Sequence, residues 1–234
     1  MNLFYSSNIN LDKKEITVDG QENTHMTKVL RKNVGSEIII TDGMGNKYFC
    51  KIIESNKFET LLSIYKKEKI ITKRPLLKIG ISLTKKIDRI EWFLEKSTEI
   101  GVSEITPIIS KYSERKNLNM ERSIKLLISA MKQSLSFSLP KLNMPIDFND
   151  YLYINNDDFR SFICTCTGSE NTLLKNKLLK NQNTNILIGP EGGFSDTEID
   201  LAKRTNFTPV SLGKKRLRTE TAGVMVCSIF SIIN

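Results

Sequence analysis

A glycine-rich loop with the composition of a ligand site follows a short apolar run in the C-terminal third of the chain. The apolar run is residues 185–188, and the loop reads Gly189-Pro190-Glu191-Gly192-Gly193. The paired glycines permit positive φ and let a ligand approach main-chain amides, while the proline stiffens the turn. Ser195 and Glu198 then have the spacing of a capping box, which predicts a helix start. A loop between a parallel strand and a helix is a common place for a ligand.

The composition of this loop argues against a phosphate ligand. Phosphate loops of the G-x-x-x-x-G-K-[ST] type supply bare amides and a lysine, and that pattern is absent from the chain. Glu191 would repel pyrophosphate, whereas a carboxylate suits hydroxyl groups, an amine or a cation. S-adenosylmethionine carries all three and has no phosphate. A plain tight turn with a surface glutamate is the alternative interpretation.

A second loop places basic residues just before an apolar helix. It follows a predicted strand at 209–212, and its basic residues are Lys214, Lys215, Arg216 and Arg218. If this strand neighbours the one before the glycine loop, the basic cluster lies beside that loop and can meet an RNA backbone or a developing anion. A solvated loop is the alternative. A third strand end, at 165–168, is small and polar, and it either lines the same pocket or only closes a turn.

The elements that position these loops form two groups. Residues 1–72 predict a small β-barrel-like domain, with strands at 15–19, 37–41, 48–53 and 58–65, a hairpin turn at 42–46 and one helix at 22–31. A basic linker is expected at 66–78. Residues 73–234 predict an α/β domain, with strands at 76–83, 104–109, 162–167, 185–188 and 209–212 and helices at 88–100, 120–135, 171–179, 195–204 and from 219. Such alternation predicts a largely parallel sheet with helices on both faces.

Composition narrows the class of protein. The 234 residues carry 35 Lys+Arg against 26 Asp+Glu, and the net charge of +9 favours a polyanionic partner such as nucleic acid. The apolar tract at 222–233 is too short for a membrane span and no secretory signal is visible, so we expect a cytoplasmic protein without a membrane partner. His25 is the single histidine, and Cys50, Cys164, Cys166 and Cys227 lack zinc or redox spacing. We therefore expect no metal and reduced core thiols.

The motifs together resemble the bacterial 16S ribosomal RNA (uracil-N3)-methyltransferases of the SPOUT superfamily. The matching segments are residues 188–195, Leu212-Gly213 and Leu217-Arg218-Thr219-Glu220-Thr221-Ala222, in that order. Upstream matches are Lys86, Asp88-Arg89, Glu91-Trp92, 96–102 and 105–107, followed in the first domain by His25, 29–31, Gly35 and Asp42-Gly43. The resemblance thus covers nearly the whole chain.

The resemblance implies a SPOUT-type knotted methyltransferase domain with a parallel sheet, preceded by a small PUA-like, RNA-binding β-barrel domain. It implies a homodimer, S-adenosyl-L-methionine as cofactor, and N3 of one uridine in 16S rRNA of the small ribosomal subunit as target. The candidate cofactor residues are Thr167, Ile188, Gly189, Pro190, Glu191, Gly192, Gly193, Leu212, Gly213, Leu217, Arg218, Thr219, Thr221 and Ala222. The candidate RNA contacts are Lys28, Arg31, Lys32, Lys86, Arg89, Lys215 and Arg216.

Two residues are candidates for catalysis. Uracil N3 is a poor nucleophile until its proton leaves, so the site must align N3 with the methyl donor and stabilise the uracil anion. Arg218 is the candidate donor to the uracil oxygens, with a phosphate contact as its alternative role. Glu220 is either a base or a residue that holds Arg218 or a cofactor group, and its place near a helix start also suits a structural role.

The chain departs from the family pattern in several places. Lys111-Tyr112-Ser113 stands where Glu-Arg-Ser is common, Lys132 where a glutamate is common, Lys215 where an arginine is typical and Arg216 where an aliphatic residue is typical. These changes concern RNA contacts rather than the cofactor motif. The alternatives to the favoured function are a related SPOUT enzyme acting on tRNA, a non-catalytic RNA-binding protein of ribosome assembly and, third, a nucleotide-binding enzyme.

Overall fold

The computed structural model describes residues 2–70, 75–154, 158–165 and 172–234. The chain packs into two compact units, one of Met1–Thr72 with Ile128–Leu139 and one of Lys73–Leu127 with Pro140–Asn234. The second segment of the first unit was expected in the second domain. Its backbone joins the first unit because Leu139 N donates to Gly43 O at 2.7 Å and Gly45 N donates to Phe137 O at 2.7 Å.

The part of the first unit that the structure describes is built on a mixed six-stranded sheet. Its strands are β1 (Leu3–Tyr5), β2 (Ile9–Asn10), β3 (Glu15–Asp19), β4 (Glu37–Thr41), β5 (Asn46–Ser55) and β6 (Glu59–Lys69). They lie in the order β1-β4-β5-β6-β3-β2, and the β1–β4 pair alone is parallel among them. Alternating apolar residues of these strands form a buried core that includes Ile16, Ile40, Tyr48 and Leu62. This alternation is the period-2 pattern of strands with one buried face.

Two predictions in this unit need correction. The expected linker at 66–78 is wrong at its start, because Lys66 and Lys67 pair with Phe49 and Tyr48 as part of β6. The expected helix at 22–31 is instead α1 (Gly20–Thr24), which continues into a π-helical turn at His25–Val29.

Among its described residues, the second unit contains a parallel sheet of seven strands. The strands are β7 (Leu77–Ser82), β8 (Glu104–Ile109), β9 (Lys141–Leu142), β10 (Ile146–Asp147), β11 (Arg160–Cys164), β12 (Thr184–Ile188) and β13 (Thr208–Val210). Their order is β10-β8-β7-β12-β11-β13, with β9 also paired to β8. The helices of the remaining chain are α2 (Ile87–Ile100), α3 (Met120–Gln133), α4 (Phe148–Leu152), α5 (Leu174–Lys177), α6 (Asp196–Arg204) and α7 (Thr219–Ile233).

Helices cover both faces of this sheet, as alternating strand and helix patterns predict. On one face, Leu187 and Ile163 pack with Phe148 and Tyr151 of α4 and with residues of α6. On the other face, α7 packs on α2 and β7. The closest approach is at Gly223, where a Cβ atom would lie 2.4 Å from Cε2 of Phe93.

Local patterns were wrong or incomplete in three places. The helix expected at 171–179 is instead the single turn α5. At the start of α5, Leu174 N donates a hydrogen bond to Ser211 O. The strand expected at 162–167 runs from Arg160 to Cys164, and residues 166 and 167 lie outside the described residues. The short strands β1, β2, β9 and β10 and helix α4 were not predicted.

Candidate functional site

The glycine loop forms a tight turn at the carboxyl end of β12. Gly193 N donates to Pro190 O at 2.8 Å, and Gly193 has φ of +74°. A positive φ at this position favours glycine. The predicted capping box is confirmed, because Ser195 caps α6 with its side chain and Glu198 returns a bond to the Ser195 backbone. The loop is therefore fixed at both of its ends.

The second loop meets the first, although their strands are not neighbours. From the sequence, the two loops were expected to lie together only if the strands before them were neighbours. In the structure, β11 lies between those strands, β12 and β13. The chain after β13 reaches across the end of β11, and Thr219 Oγ1 donates to Gly189 O at 2.9 Å. Thr219 is 3% exposed, so this bond is shielded from water. It joins the start of α7 to the glycine loop.

A cavity lies between the two loops, over the end of β11. The empty space in it, counted out to the open solvent at its mouth, is about 620 Å³. The lining residues are Cys164, Thr165, Ile188, Gly189, Pro190, Gly193, Ser211, Leu212, Gly213, Lys214, Lys215, Arg216, Leu217, Thr219 and Ala222. Residues from both predicted loops and from the third strand end thus share one cavity.

The lining combines apolar side chains and main-chain groups with a cationic segment. Ile188, Leu212 and Ala222 offer apolar contact. Residues 214–216 are exposed and basic. No carboxylate is among the described residues that line this cavity. The arrangement suits a ligand with a flat apolar part and polar edges that meet backbone groups, and the basic segment can contact an anionic group or an RNA phosphate.

Glu191 does not line this cavity. Its carboxylate lies 3.6 Å from the Arg89 guanidinium and accepts a long bond of 3.4 Å from Lys85 N. In this structure the carboxylate faces Arg89 and not the cavity, so a contact between Glu191 and the cofactor stays a prediction. Gly192 is also outside the lining. A Cβ atom on Gly192 would instead lie 3.2 Å from Cβ of Tyr112.

Arg89 joins the two loops from helix α2. Its guanidinium also lies 3.7 Å from Glu220, so it pairs with one carboxylate in the glycine loop and one at the start of α7. The Glu220 side chain is only 8% exposed, and its Oε2 has no hydrogen-bond partner among the described residues. Glu220 thus holds Arg89 rather than Arg218. Arg89 is also a candidate RNA contact, which stays a prediction; in this structure its guanidinium bridges the two loops.

The other candidate residues have different settings. Arg218 is exposed and precedes α7 as its N-cap residue. Its side chain has no hydrogen bond or ion pair to the rest of the described chain, so it is available to a substrate. Thr221 is exposed and does not line the cavity, while Thr167 lies outside the described residues.

The candidate RNA contacts lie on both units. Lys215 and Arg216 are at the cavity, and Lys86 is exposed as the N-cap residue of α2. In the first unit, Lys28 and Arg31 are exposed, whereas Lys32 is half-buried.

Cys164 and Ser211 line the cavity but were not among the candidate cofactor residues taken from the sequence. Both stand at or next to the carboxyl end of a strand, at β11 and β13, where ligands bind in parallel sheets. The third strand end, at Thr165, was noted as an open possibility, and it does line the cavity. The position of these residues at strand ends was visible in the sequence, but the order of the strands was needed to show that they share one cavity.

The described residues contain no group of three or more His, Cys, Asp or Glu side chains arranged to hold a metal ion. Within the same ranges, no helix combines the length and apolarity that a membrane crossing requires.

Family models of known proteins match two segments of the chain. A family model described as an RNA methyltransferase domain matches residues 72–231, and one described as an RNA methyltransferase PUA domain matches residues 18–61. The ribosomal RNA small subunit methyltransferase E of Rickettsia conorii is 29% identical over 229 residues, covering 95% of this chain and 92% of the relative. The protein of the same name from Mesomycoplasma hyopneumoniae is 33% identical over 186 residues, covering 76% and 78%.

Solved structures agree with this assignment. A probable rRNA-methyltransferase from Porphyromonas gingivalis superimposes with a TM-score of 0.89 at 33% identity, covering 100% of this chain and 98% of the other. A ribosomal RNA small subunit methyltransferase E from Neisseria gonorrhoeae bound to S-adenosyl methionine gives 0.85 at 25% identity, also covering 100% and 98%. The predicted α/β domain with a parallel sheet, preceded along the chain by a small PUA-like domain, is confirmed. The chain belongs to the RNA methyltransferase family whose members include ribosomal RNA small subunit methyltransferase E.

Proposed function

We propose that this protein transfers a methyl group from S-adenosyl-L-methionine to N3 of one uridine in 16S rRNA of the small ribosomal subunit. The observation that carries the proposal is the cavity between the glycine loop and the start of α7, which the Thr219–Gly189 bond ties together. A relative with the same fold holds S-adenosyl methionine.

The cavity fits this cofactor on chemical grounds. Apolar side chains of Ile188, Leu212 and Leu217 suit an adenine ring, and the main chain of two glycine-containing loops suits its polar edges. Gly213 has φ of +141° and Gly193 has φ of +74°, and neither Cβ position is crowded, so both glycines serve backbone conformation. The bound cofactor supplies an electrophilic methyl group on a positively charged sulfur.

The residues of this chain then position and polarise the substrate. Arg218 is exposed beside the cavity and can donate to uracil oxygens as negative charge develops after N3 loses its proton. Glu220 is buried and lies 3.7 Å from Arg89, which supports a role in positioning the start of α7 over a role as the base. The single histidine, His25, belongs to the first unit, and the catalytic unit has no imidazole to serve as the base.

The proposal includes the architecture that the family resemblance implies. Residues 1–72 act as the RNA-binding PUA-like domain and residues 73–234 as the methyltransferase domain, with the chain knotted at the cofactor site. Two copies form a homodimer in the cytoplasm, where the enzyme contributes to rRNA processing during ribosome biogenesis. The net charge of +9 supports a polyanionic partner.

Methyl transfer to small subunits that lack the modification tests the function. We expect labelled methyl to enter 16S rRNA and mass spectrometry to identify 3-methyluridine. Methylation of tRNA in place of 16S rRNA, or the absence of cofactor binding in calorimetry, would refute the proposal and favour one of the alternatives stated above.

A matched pair of threonine variants tests the cavity. Thr219→Val removes the bond to Gly189 at nearly constant volume and leaves the Gly189 carbonyl without this donor, so we expect the glycine loop to shift and cofactor affinity to fall. Thr208→Val changes an exposed threonine at the start of β13 and should bind the cofactor as wild type does. Equal affinities for the two variants would contradict the assignment.

A further inference from the structure

The loops after β7 and β8 form a basic surface that no step of the proposed chemistry uses. We call it the basic rim, and it consists of Lys85, Lys86, Lys111, Tyr112, Arg115 and Lys116. Because β7 and β8 are parallel neighbours, their carboxyl ends meet at one edge of the sheet. Residues 83–86 and 110–118 contain five cationic side chains and a single carboxylate, Glu114, which gives a net charge of +4.

Tyr112 joins the basic rim to the glycine loop. A Cβ atom on Gly192 would lie 3.2 Å from Cβ and 3.5 Å from Cγ of Tyr112, so the absence of a side chain at 192 lets the tyrosine rest on the loop. The tyrosine is nevertheless 48% exposed. The Lys111 ammonium group lies 5.4 Å from its ring centroid. An exposed aromatic ring with a flanking cation therefore borders the proposed cofactor site.

The basic rim is held in place by hydrogen bonds between main-chain and side-chain atoms. Lys111 N donates to Glu198 Oε1 at 2.8 Å, which ties the loop after β8 to the first turn of α6. The Arg115 guanidinium donates to Lys85 O at 3.0 Å, which ties that loop to the one after β7. An open groove runs between them, lined by Lys85, Glu114, Arg115, Lys116 and Asn117. A preorganised surface loses less entropy when it binds.

We propose that the basic rim binds the single-stranded RNA that carries the target nucleotide, with its cations on phosphates and one unpaired base stacked on Tyr112. The inference rests on the proposed function. Interleaved cations and an aromatic ring are the means by which proteins bind single-stranded RNA, because every base has a stacking face and every nucleotide a phosphate. The position of Tyr112 against Gly192 places the stacked base next to the glycine loop.

Steady-state methyl transfer to unmodified small subunits tests the role of the ring. Tyr112→Leu should raise KM for subunits by about tenfold, the usual effect of losing one stacked base, while leaving calorimetric cofactor affinity unchanged. Tyr112→Phe keeps the ring and should behave as wild type. Tyr153→Leu alters a tyrosine of the same unit that is 71% exposed after α4 and should have no effect.

Binding of a labelled oligouridine of about twelve nucleotides, followed by anisotropy, tests the cations. Lys116→Gln should reduce the salt dependence of binding by about one counterion, and Lys180→Gln, an exposed lysine before β12, should not.

Three results would overturn the inference: a wild-type KM for Tyr112→Leu, an equal loss for Tyr112→Phe, or a loss of cofactor affinity in Tyr112→Leu. The last result would mean that Tyr112 acts through the glycine loop. Failure of the proposed function has a different signature, since wild-type protein would then not methylate subunits at all. In that case oligouridine binding by Tyr112→Leu decides the inference, and wild-type affinity would overturn it.

Discussion

Replacing Arg89 should reveal how strongly the two loops depend on a buried charge. Arg89 lies 3.7 Å from Glu220, whose side chain is 8% exposed, and 3.6 Å from Glu191, whose side chain is 39% exposed. Arg89→Met keeps an apolar stem of similar reach and removes the charge. The Glu220 carboxylate would then be buried without its counter-ion.

The size of the effect follows from these distances. At 3.7 Å and an effective dielectric constant of about 20, the attraction between Arg89 and Glu220 is about 4–5 kcal/mol before desolvation is subtracted. Removing one member of a buried pair costs roughly 3–5 kcal/mol, and Arg89 is 27% exposed, so solvent screens part of this. The Glu191 contact is more exposed and contributes below about 1 kcal/mol. We expect a loss of about 2–3 kcal/mol in the free energy of unfolding.

Thermal unfolding by calorimetry measures this loss. Arg89→Met should lower the Tm by roughly 4–12 °C, from about 2–4 °C per kcal/mol for a chain of this size. Adding Glu220→Gln should recover most of the loss, since it removes the uncompensated charge. The control is Arg122→Met, because Arg122 pairs with Glu91 at 2.7 Å but is 65% exposed, and its loss should stay below about 1 kcal/mol.

The reasoning is refuted if Arg89→Met is no less stable than Arg122→Met, or if Glu220→Gln brings no recovery. A variant with unchanged Tm but weaker binding to small subunits would instead support an RNA contact at Arg89, the role that the sequence suggested.

Three further predictions concern other parts of the molecule. Burial raises the pKa of Asp42, but the hydrogen bonds that its carboxylate accepts outweigh burial and hold the pKa below its ordinary value of 3.8. The ionised Asp42 carboxylate therefore stabilises the fold fully above pH 3.8, and this contribution is lost as the pH falls through the folded pKa. In Asp42→Asn, the free energy of unfolding measured with urea should decrease less at acidic pH than in the wild type. An unchanged decrease would contradict this. Gly223→Ala should destabilise the fold by about 1–3 kcal/mol in urea unfolding, because its Cβ would overlap the buried ring of Phe93, and a neutral effect would show that α7 can shift. Burial raises the pKa of the Cys50 and Cys227 thiols to about 12, so mass spectrometry should find both unmodified after iodoacetamide treatment of native protein at about pH 8, and labelling at the rate seen in urea would count against their burial.

Much of the local structure followed from the order of residues along the chain. Strands β3, β4 and β8 have the bounds that their alternation or apolar runs predict, and the capping box at Ser195 starts α6 where the spacing with Glu198 requires. These features depend on side chains a few positions apart, so a linear pattern contains them. The two loops that line the cavity were identified for the same reason, because glycine and basic clusters after strands are visible without coordinates.

The relations between distant residues required the tertiary structure. Only the sheet order shows that β11 separates β12 from β13 and that the second loop reaches Gly189 across its end. Glu191 lies 3.6 Å from Arg89 although the two are 102 positions apart in the sequence. Tyr112 lies beside Gly192 although these two are 80 positions apart. The sequence does not show which residue a charged or aromatic side chain contacts, because tertiary packing determines that partner. The types and spacing of the residues therefore determined which loops form the site, and the fold decided which of their side chains face the cavity, the basic rim or one another.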